Sequence, residues 1–288
     1  MAIPSVYSLL KKYGIFPKKR LGQHFLAAMP TIEKIVAALD ICQDDVVIEI
    51  GPGLGVMTGL VAAQARHVVA IERDAAVLDI AKAELAERAN ITWIHGDVLE
   101  QTMEGVSAAA GRKATARYKI IGNLPYNISS PILFWMLDNR ERLECAVVML
   151  QKEVAVRIAA KPGGRDYGIL SVLTQAFAKP SLLFHVSAKS FVPPPEVTSS
   201  VLRLDFYAKS GLDAARETRF RELVRAAFGK RRKTIRNALL GARGMKIEPS
   251  RLDMALADAG IDHKRRPETL SVDEFFLLTD ALNDSCDQ

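Results

Sequence analysis

The residues Asn123-Leu124-Pro125-Tyr126-Asn127 set an amide, a proline and an aromatic ring at the end of an apolar run, Tyr118 to Gly122, that reads as a buried strand. In open α/β sheets ligands bind outside the carboxyl ends of the strands. Such a group of residues suits chemistry on an exocyclic amine of a base, whose lone pair is delocalised into the ring and must be drawn out. The Asn123 side-chain oxygen and a main-chain carbonyl at Leu124 or Pro125 can accept the two amino hydrogens, with Tyr126 stacked on the base. The plain alternative is a tight turn in which Asn and Pro only punctuate the chain.

A second group of residues would hold a nucleoside. Gly51-Pro52-Gly53-Leu54-Gly55 follows the β-branched run Val46-Val47-Ile48-Glu49-Ile50, and its glycines let backbone approach a ligand without Cβ clashes. The dinucleotide fingerprint would place its third glycine at position 56, which is Val, so NAD is disfavoured. Glu72 ends the next strand, where a carboxylate can accept both hydroxyls of a ribose. Asp97 ends the third and can accept from an adenine amino group. Acidic residues at successive strand ends beside a glycine turn suit an adenosine that carries a positive sulfonium, the shape of S-adenosylmethionine. Gly22-Gln23-His24-Phe25-Leu26 precedes the first expected helix and can fold over this site, although His24 can equally be a plain loop residue.

The elements that must position these residues alternate. Apolar positions at Ile32, Ile35, Val36 and Leu39 give a helix behind Pro30 and Thr31. Strands are expected at 46–50, 67–72, 91–94, 118–122 and 146–150, separated by helical stretches, so the sheet should be largely parallel. A helix over 169–178 leads to strands at 182–186 and 201–206, with Phe191-Val192-Pro193-Pro194-Pro195 between them as a stiff loop. A composition shift at Tyr207 to Asp213 divides an α/β domain, 1–207, from a small all-helical domain, 208–288. In the latter Phe220, Leu223, Val224, Ala227 and Phe228 share one face.

The 288 residues are 49% hydrophobic, enough for a packed core. No apolar run approaches the ~20 residues of a membrane span, and the first residues lack the pattern of a signal peptide, so a cytoplasmic protein is expected. The three cysteines, Cys42, Cys145 and Cys286, form no C-x-x-C pair and suggest neither a disulfide framework nor a metal site. The net charge of +6 is unevenly spread. Met1 to Ile32 holds five basic residues and no acidic one, and Ala215 to Lys246 holds eleven against Glu217 and Glu222. These concentrations point to a polyanion, with Arg225, Lys230, Arg231, Arg232, Lys233 and Arg236 as its grip. Arg225, Arg232 and Arg236 would share a face if the helix continued through Gly229.

Lys19 to Leu26, Glu49 to Gly55, Gly122 to Ser129, Tyr167 to Val172, Phe191 to Ser199 and Phe228 to Asn237 together resemble the ribosomal RNA adenine dimethyltransferases, in their order and over most of the chain. Within that family the chain looks like the bacterial small-subunit branch, which dimethylates two adjacent adenosines near the 3′ end of the rRNA. The resemblance implies a Rossmann-like S-adenosylmethionine-dependent methyltransferase domain and a helical RNA-binding domain. It implies that His24 and Leu26 line the cofactor pocket, that Gly51 meets the methionine part, and that Glu72 holds the ribose. It assigns Asp97 to the adenine and Asn123 to the junction of cofactor and target base. Gly53 completes the glycine turn, and Tyr126 and Phe191 would hold the extruded base. Small-subunit rRNA or the immature small subunit is the expected partner of a monomer that needs no metal. Related large-subunit methylases of the macrolide-resistance type usually carry Ile where this chain has Leu124. A DNA adenine methylase and an RNA-binding assembly factor are the remaining rivals.

Overall fold

The computed structural model describes residues 4–18, 22–111, 117–207, 213–230, 232–245 and 247–284. The chain divides into two units, Met1–Ala155 with Lys179–Ala208, and Val156–Ala178 with Lys209–Gln288.

The first unit begins with α1 (Val6–Tyr13), β1 (Phe25–Leu26) and α2 (Met29–Ala37). Strands and helices then alternate as β2 (Val46–Ile50), α3 (Val56–Ala62), β3 (His67–Glu72), α4 (Ala75–Glu84), β4 (Ile91–His95), α5 (Met103–Ala109), β5 (Tyr118–Asn123), α6 (Ser129–Asp138) and β6 (Leu143–Gln151). After α7 (Lys152–Ala159) and α8 (Ile169–Phe177) come β7 (Ala178–Val186), β8 (Phe191–Val192) and β9 (Ser199–Phe206). The seven-stranded sheet runs β4-β3-β2-β5-β6-β9-β7. Its strands β4, β3, β2, β5 and β6 are parallel neighbours and β9 pairs antiparallel with β6. Every residue of β2 is buried, which is why that run shows no apolar-polar alternation: it is covered on both faces. Burying each of its Val and Ile side chains contributes about 1.5–3 kcal/mol.

The order of strands reverses at β2, since β3 and β4 continue to one side and β5 starts on the other. That reversal is the topological switch point where α/β sheets bind ligands. Gly122 brings β5 close to β2 there: a Cβ on it would stand 2.6 Å from the Ile50 carbonyl oxygen. Only glycine lets Asn123 follow at that spacing.

The second unit holds α9 (Ala214–Phe228), α10 (Ile235–Leu240), α11 (Pro249–Asp258) and α12 (Val272–Asp284). Phe220 stacks on Phe276 at 4.4 Å and meets Phe177 edge-on at 6.2 Å, and Tyr167 meets Phe228 at 6.4 Å. These rings draw residues 156–178 into the helical unit, whereas the expected division left them in the α/β one. A contiguous boundary cannot express a segment recruited by aromatic packing at long range. No helix among the described residues is long and apolar enough to cross a membrane.

Three local expectations differ from the structure. The α8 helix passes directly into β7 at Ala178, so that strand starts four residues before Leu182. Phe191 and Val192 are no loop but a two-residue strand, pairing antiparallel with Leu26 and Phe25. The helix does not continue through Gly229: α9 ends at Phe228, Arg232 takes a left-handed φ of 66°, and the Thr234 side chain caps α10 by accepting from the Asn237 N–H. The face shared by Arg225, Arg232 and Arg236 therefore does not form.

Candidate active site

A cleft opens at the switch point, over the carboxyl ends of β2, β3 and β5. Asn123, Leu124, Pro125 and Tyr126 line it together with His24, Leu26, Gly51, Gly53, Glu72 and Asp97. Ten of the residues singled out from sequence thus meet in one place, drawn from five separate stretches of chain.

The half-buried Asn123 ends β5 and donates from Nδ2 to the His24 carbonyl at 2.9 Å, which leaves Oδ1 as its acceptor. The Leu124 N–H donates to the Met149 carbonyl at 2.9 Å, anchoring the turn to β6. The sequence left open which carbonyl would serve beside Asn123. The Pro125 carbonyl accepts the Ile128 N–H at 3.2 Å within the turn, whereas no such bond engages the Leu124 carbonyl among the described residues. Leu124 is therefore the better placed of the two. The Tyr126 hydroxyl shares a 2.6 Å hydrogen bond with Ser199, and the His24 ring covers one face of Tyr126 at 5.7 Å. Burial raises the pKa of that hydroxyl, with the Ser199 bond working against it.

On the other side of the cleft, Gly51 and Gly53 turn the chain with φ of 70° and 57°. A side chain on Gly53 would be strained and would press on the Phe25 ring at 3.2 Å. Glu72 accepts the Asp74 N–H at 2.9 Å on one oxygen and the Gly53 N–H at 3.2 Å on the other. Burial pushes its carboxyl above the ordinary range, while the backbone of Asp74, Gly53 and Arg73 pulls it back. Each oxygen keeps a second lone pair, enough for a pair of ribose hydroxyls. Asp97 accepts the Leu99 N–H at 3.0 Å and lies 3.3 Å from the Arg73 guanidinium. A bare glycine cradle beside a carboxylate with spare lone pairs fits an adenosine-type cofactor.

The segment over this cleft is tied down by contacts that the sequence does not announce. Lys18 and Gln23 both reach Asp74 at 2.8 Å, and the Lys18 N–H donates to the Gln23 side chain at 2.8 Å. Burial works against the ionised Asp74, but the bonds from Lys18 and Gln23 win and hold it below its ordinary range. His24 donates from Nδ1 to the Pro193 carbonyl at 2.8 Å. These partners lie 51 to 169 residues apart, and no local motif announces them. Glu49 escaped notice too: it is fully buried in β2, neither of its oxygens has a hydrogen-bond partner, and burial raises its pKa to about 8.

Phe191 is a correction. Its ring is 1% exposed within the apolar core beside Phe25 and Leu26, and it does not line the cleft. In this structure it pairs with Leu26 across a two-residue ladder and packs in the same apolar cluster. The expected polyanion grip also divides. Arg236 is held by Asp253 through a two-bond pair at 2.5 and 2.8 Å, so it is not free for another anion. Arg225, Lys230, Arg232 and Lys233 are exposed and make no ion pair among the described residues, and Arg231 lies outside the described residues.

The strand order, the glycine turn and the acidic strand ends define a Rossmann-like methyltransferase. The chain belongs to the ribosomal RNA adenine dimethylase family, whose model matches residues 17–284. It is 41% identical over 278 residues to a ribosomal RNA small subunit methyltransferase A of Syntrophus aciditrophicus, an alignment covering 96% of this chain and 98% of the relative. Among solved structures it is similar to a dimethyladenosine transferase from Plasmodium falciparum, with a TM-score of 0.77 and 25% identity over 91% of this chain and 98% of that one. It is also similar to the 23S rRNA methyltransferase ErmE, with a TM-score of 0.69 and 26% identity over 90% and 99%.

Proposed function

We propose that this enzyme uses S-adenosylmethionine to dimethylate the N6 amino groups of two adjacent adenosines near the 3′ end of small-subunit rRNA, as free rRNA or in the immature subunit. The observation that carries this reading is the Asn123 amide, fixed by the His24 carbonyl with its oxygen left to accept at the mouth of the cleft. When bound, the cofactor supplies an electrophilic methyl group on a sulfonium. Gly51 and Gly53 would give it backbone access, Glu72 would accept from its ribose, Asp97 from its adenine amino group, and His24 and Leu26 would cover it.

The target base must leave its stack to reach the cleft. Asn123 Oδ1 and the Leu124 carbonyl then accept the two N6 hydrogens, which turns the nitrogen lone pair out of the ring plane toward the methyl donor. The exposed face of Tyr126 holds the base. Preorganised acceptors cost no rearrangement at the moment of transfer, which is where such groups act most strongly. No strong general base is required, because the nitrogen becomes acidic only after it has gained its methyl group and then loses a proton to water. The greater identity to a small-subunit enzyme than to the large-subunit one supports the choice of subunit.

Labelled cofactor, presented with unmethylated small subunits, large subunits, free rRNA and duplex DNA in separate reactions, tests the reading. Label is expected on adjacent adenosines near the 3′ end of the small-subunit rRNA. Label confined to large subunits or to DNA overturns it.

A further inference from the structure

Although the Phe191 ring is buried in the core, the rest of the run from Phe191 to Ser199 bears on the cleft through Tyr126. Ser199 opens β9 and pairs with Gln151 at the end of β6, where the Lys152 N–H donates to the Thr198 carbonyl at 2.9 Å. It is fully buried, and its hydroxyl meets that of Tyr126 at 2.6 Å. Near the start of the run the Pro193 carbonyl accepts from the His24 ring at 2.8 Å, one residue beyond the Phe25–Val192 pair of the β1–β8 ladder. That ring lies 5.7 Å from the Tyr126 ring, with the two planes 20° apart.

A tyrosine side chain has two torsions to settle, one that swings the ring and one that turns its plane. The bond at the hydroxyl tip limits the swing, because Ser199 sits in a paired strand. The His24 ring limits the turn and takes one face, which leaves the other to a base. Both restraints are fastened to the same run, at Pro193 and at Ser199.

The fold has no need of the hydroxyl pair. Tyr126 is only half-buried, so water can serve its hydroxyl, and an alanine at 199 would fill its buried site with no polar group to satisfy. Ring stacking, by contrast, depends on the angle and offset of the two planes, so a platform free to tilt would hold a base in many poses.

We propose that Ser199 and the His24 ring are positioning residues for the target base, locking Tyr126 as the platform on which the base stacks. The inference rests on Tyr126 as the surface that holds the base and deepens that reading by naming what orients it. Neither side chain has to touch the base, since each acts through the tyrosine ring.

The test is a double-mutant cycle on the full chain, read as the single-turnover rate of methyl transfer to unmethylated small subunits at saturating cofactor. S199A and Y126F each remove the same bond, so each should slow transfer by about three- to tenfold. Thermal unfolding and the cofactor dissociation constant should stay close to wild type. S199A/Y126F should be no slower than the slower single variant, because the second change finds nothing left to break. H24F, which keeps a ring behind Tyr126, should outpace H24A. Wild-type rates in folded S199A, or losses that multiply in the double variant, overturn the proposal. Should S199A fail to fold, Y126F at the wild-type rate overturns it from the other side, and equal rates in H24F and H24A overturn it for the His24 ring. All rates are ratios to wild type on whichever RNA accepts label, so a wrong substrate and a wrong role for Ser199 fail separately.

Discussion

The cleft of the first unit and the basic stretch of the second treat their polar side chains in opposite ways. In the cleft, Asn123, His24, Tyr126, Glu72 and Asp74 are each held by a partner at hydrogen-bonding distance. Along the basic stretch, Arg225, Lys230, Arg232 and Lys233 make no ion pair among the described residues. Directing a lone pair needs acceptors fixed to a fraction of an ångström, so their rotamers must be locked in advance. Gripping a phosphate chain needs charge within reach of oxygens that can adjust. A pre-existing ion pair would have to be broken first.

The largest effect expected from that contrast is on the locked side. Asn123→Ala should lower methyl transfer by orders of magnitude while cofactor affinity stays close to wild type, because the lost acceptor acts at the transition state. Single-turnover rates beside a cofactor titration would show it, and retained turnover would remove Asn123 from the mechanism. Phe191→Ala should cost about 3–5 kcal/mol of stability through the cavity it leaves, yet activity per folded molecule should survive. A denaturant melt paired with an assay below the transition decides this, and lost activity in a folded variant would return the ring to the base.

A smaller change is expected at Glu72. Its replacement by Ala should weaken cofactor binding by about 1–3 kcal/mol through loss of charge-assisted hydrogen bonds to the ribose. An unchanged dissociation constant in a folded variant would place the ribose elsewhere.

Glu49 offers a subtler test of how far the locking extends. Its pKa is raised from 4.5 to about 8 by burial, so the folded state binds the proton more tightly than the unfolded chain does. Wild-type stability from this residue is therefore full below pH 4.5 and falls as pH rises toward 8. Glu49→Gln lacks that loss. Its advantage over wild type should grow across this window to the order of a few kcal/mol, and parallel stability curves would show that Glu49 has a partner when the protein is in solution. The smallest effect should come from Arg236→Gln, which leaves rRNA affinity and its salt slope nearly unchanged because Asp253 already occupies the guanidinium.

Much of the cleft was legible because its parts sit on strong local signals. Fully apolar runs gave β2 and β5, glycines gave the turn, and the acidic residues stood where strands stop. The two-residue pairing of Phe25 and Leu26 with Val192 and Phe191 was not legible, since a strand that short has no period. Nor was the recruitment of residues 156–178, which depends on where the Tyr167 and Phe177 rings find partners. The break after α9 was signalled by Gly229, but that Arg236 would turn to Asp253 depends on the packing of α10 and α11, which no helical spacing contains.

The bond from Asn123 to the His24 carbonyl settles a choice that shape cannot make. The two ends of an amide are almost equal in size, so a pocket that merely fits the side chain would accept it either way round. Turned over, the same residue would aim its hydrogens at the amino group that the proposed reaction brings to it, and two donors would face each other. The His24 carbonyl can only accept, and so it admits one orientation. By the same logic an aspartate at this position, although isosteric, would set its charge against that carbonyl and push the lid segment away. The peptide oxygen of a residue 99 positions upstream thus acts as a polarity key for the strand end, and the lid cannot be displaced without leaving the amide undecided.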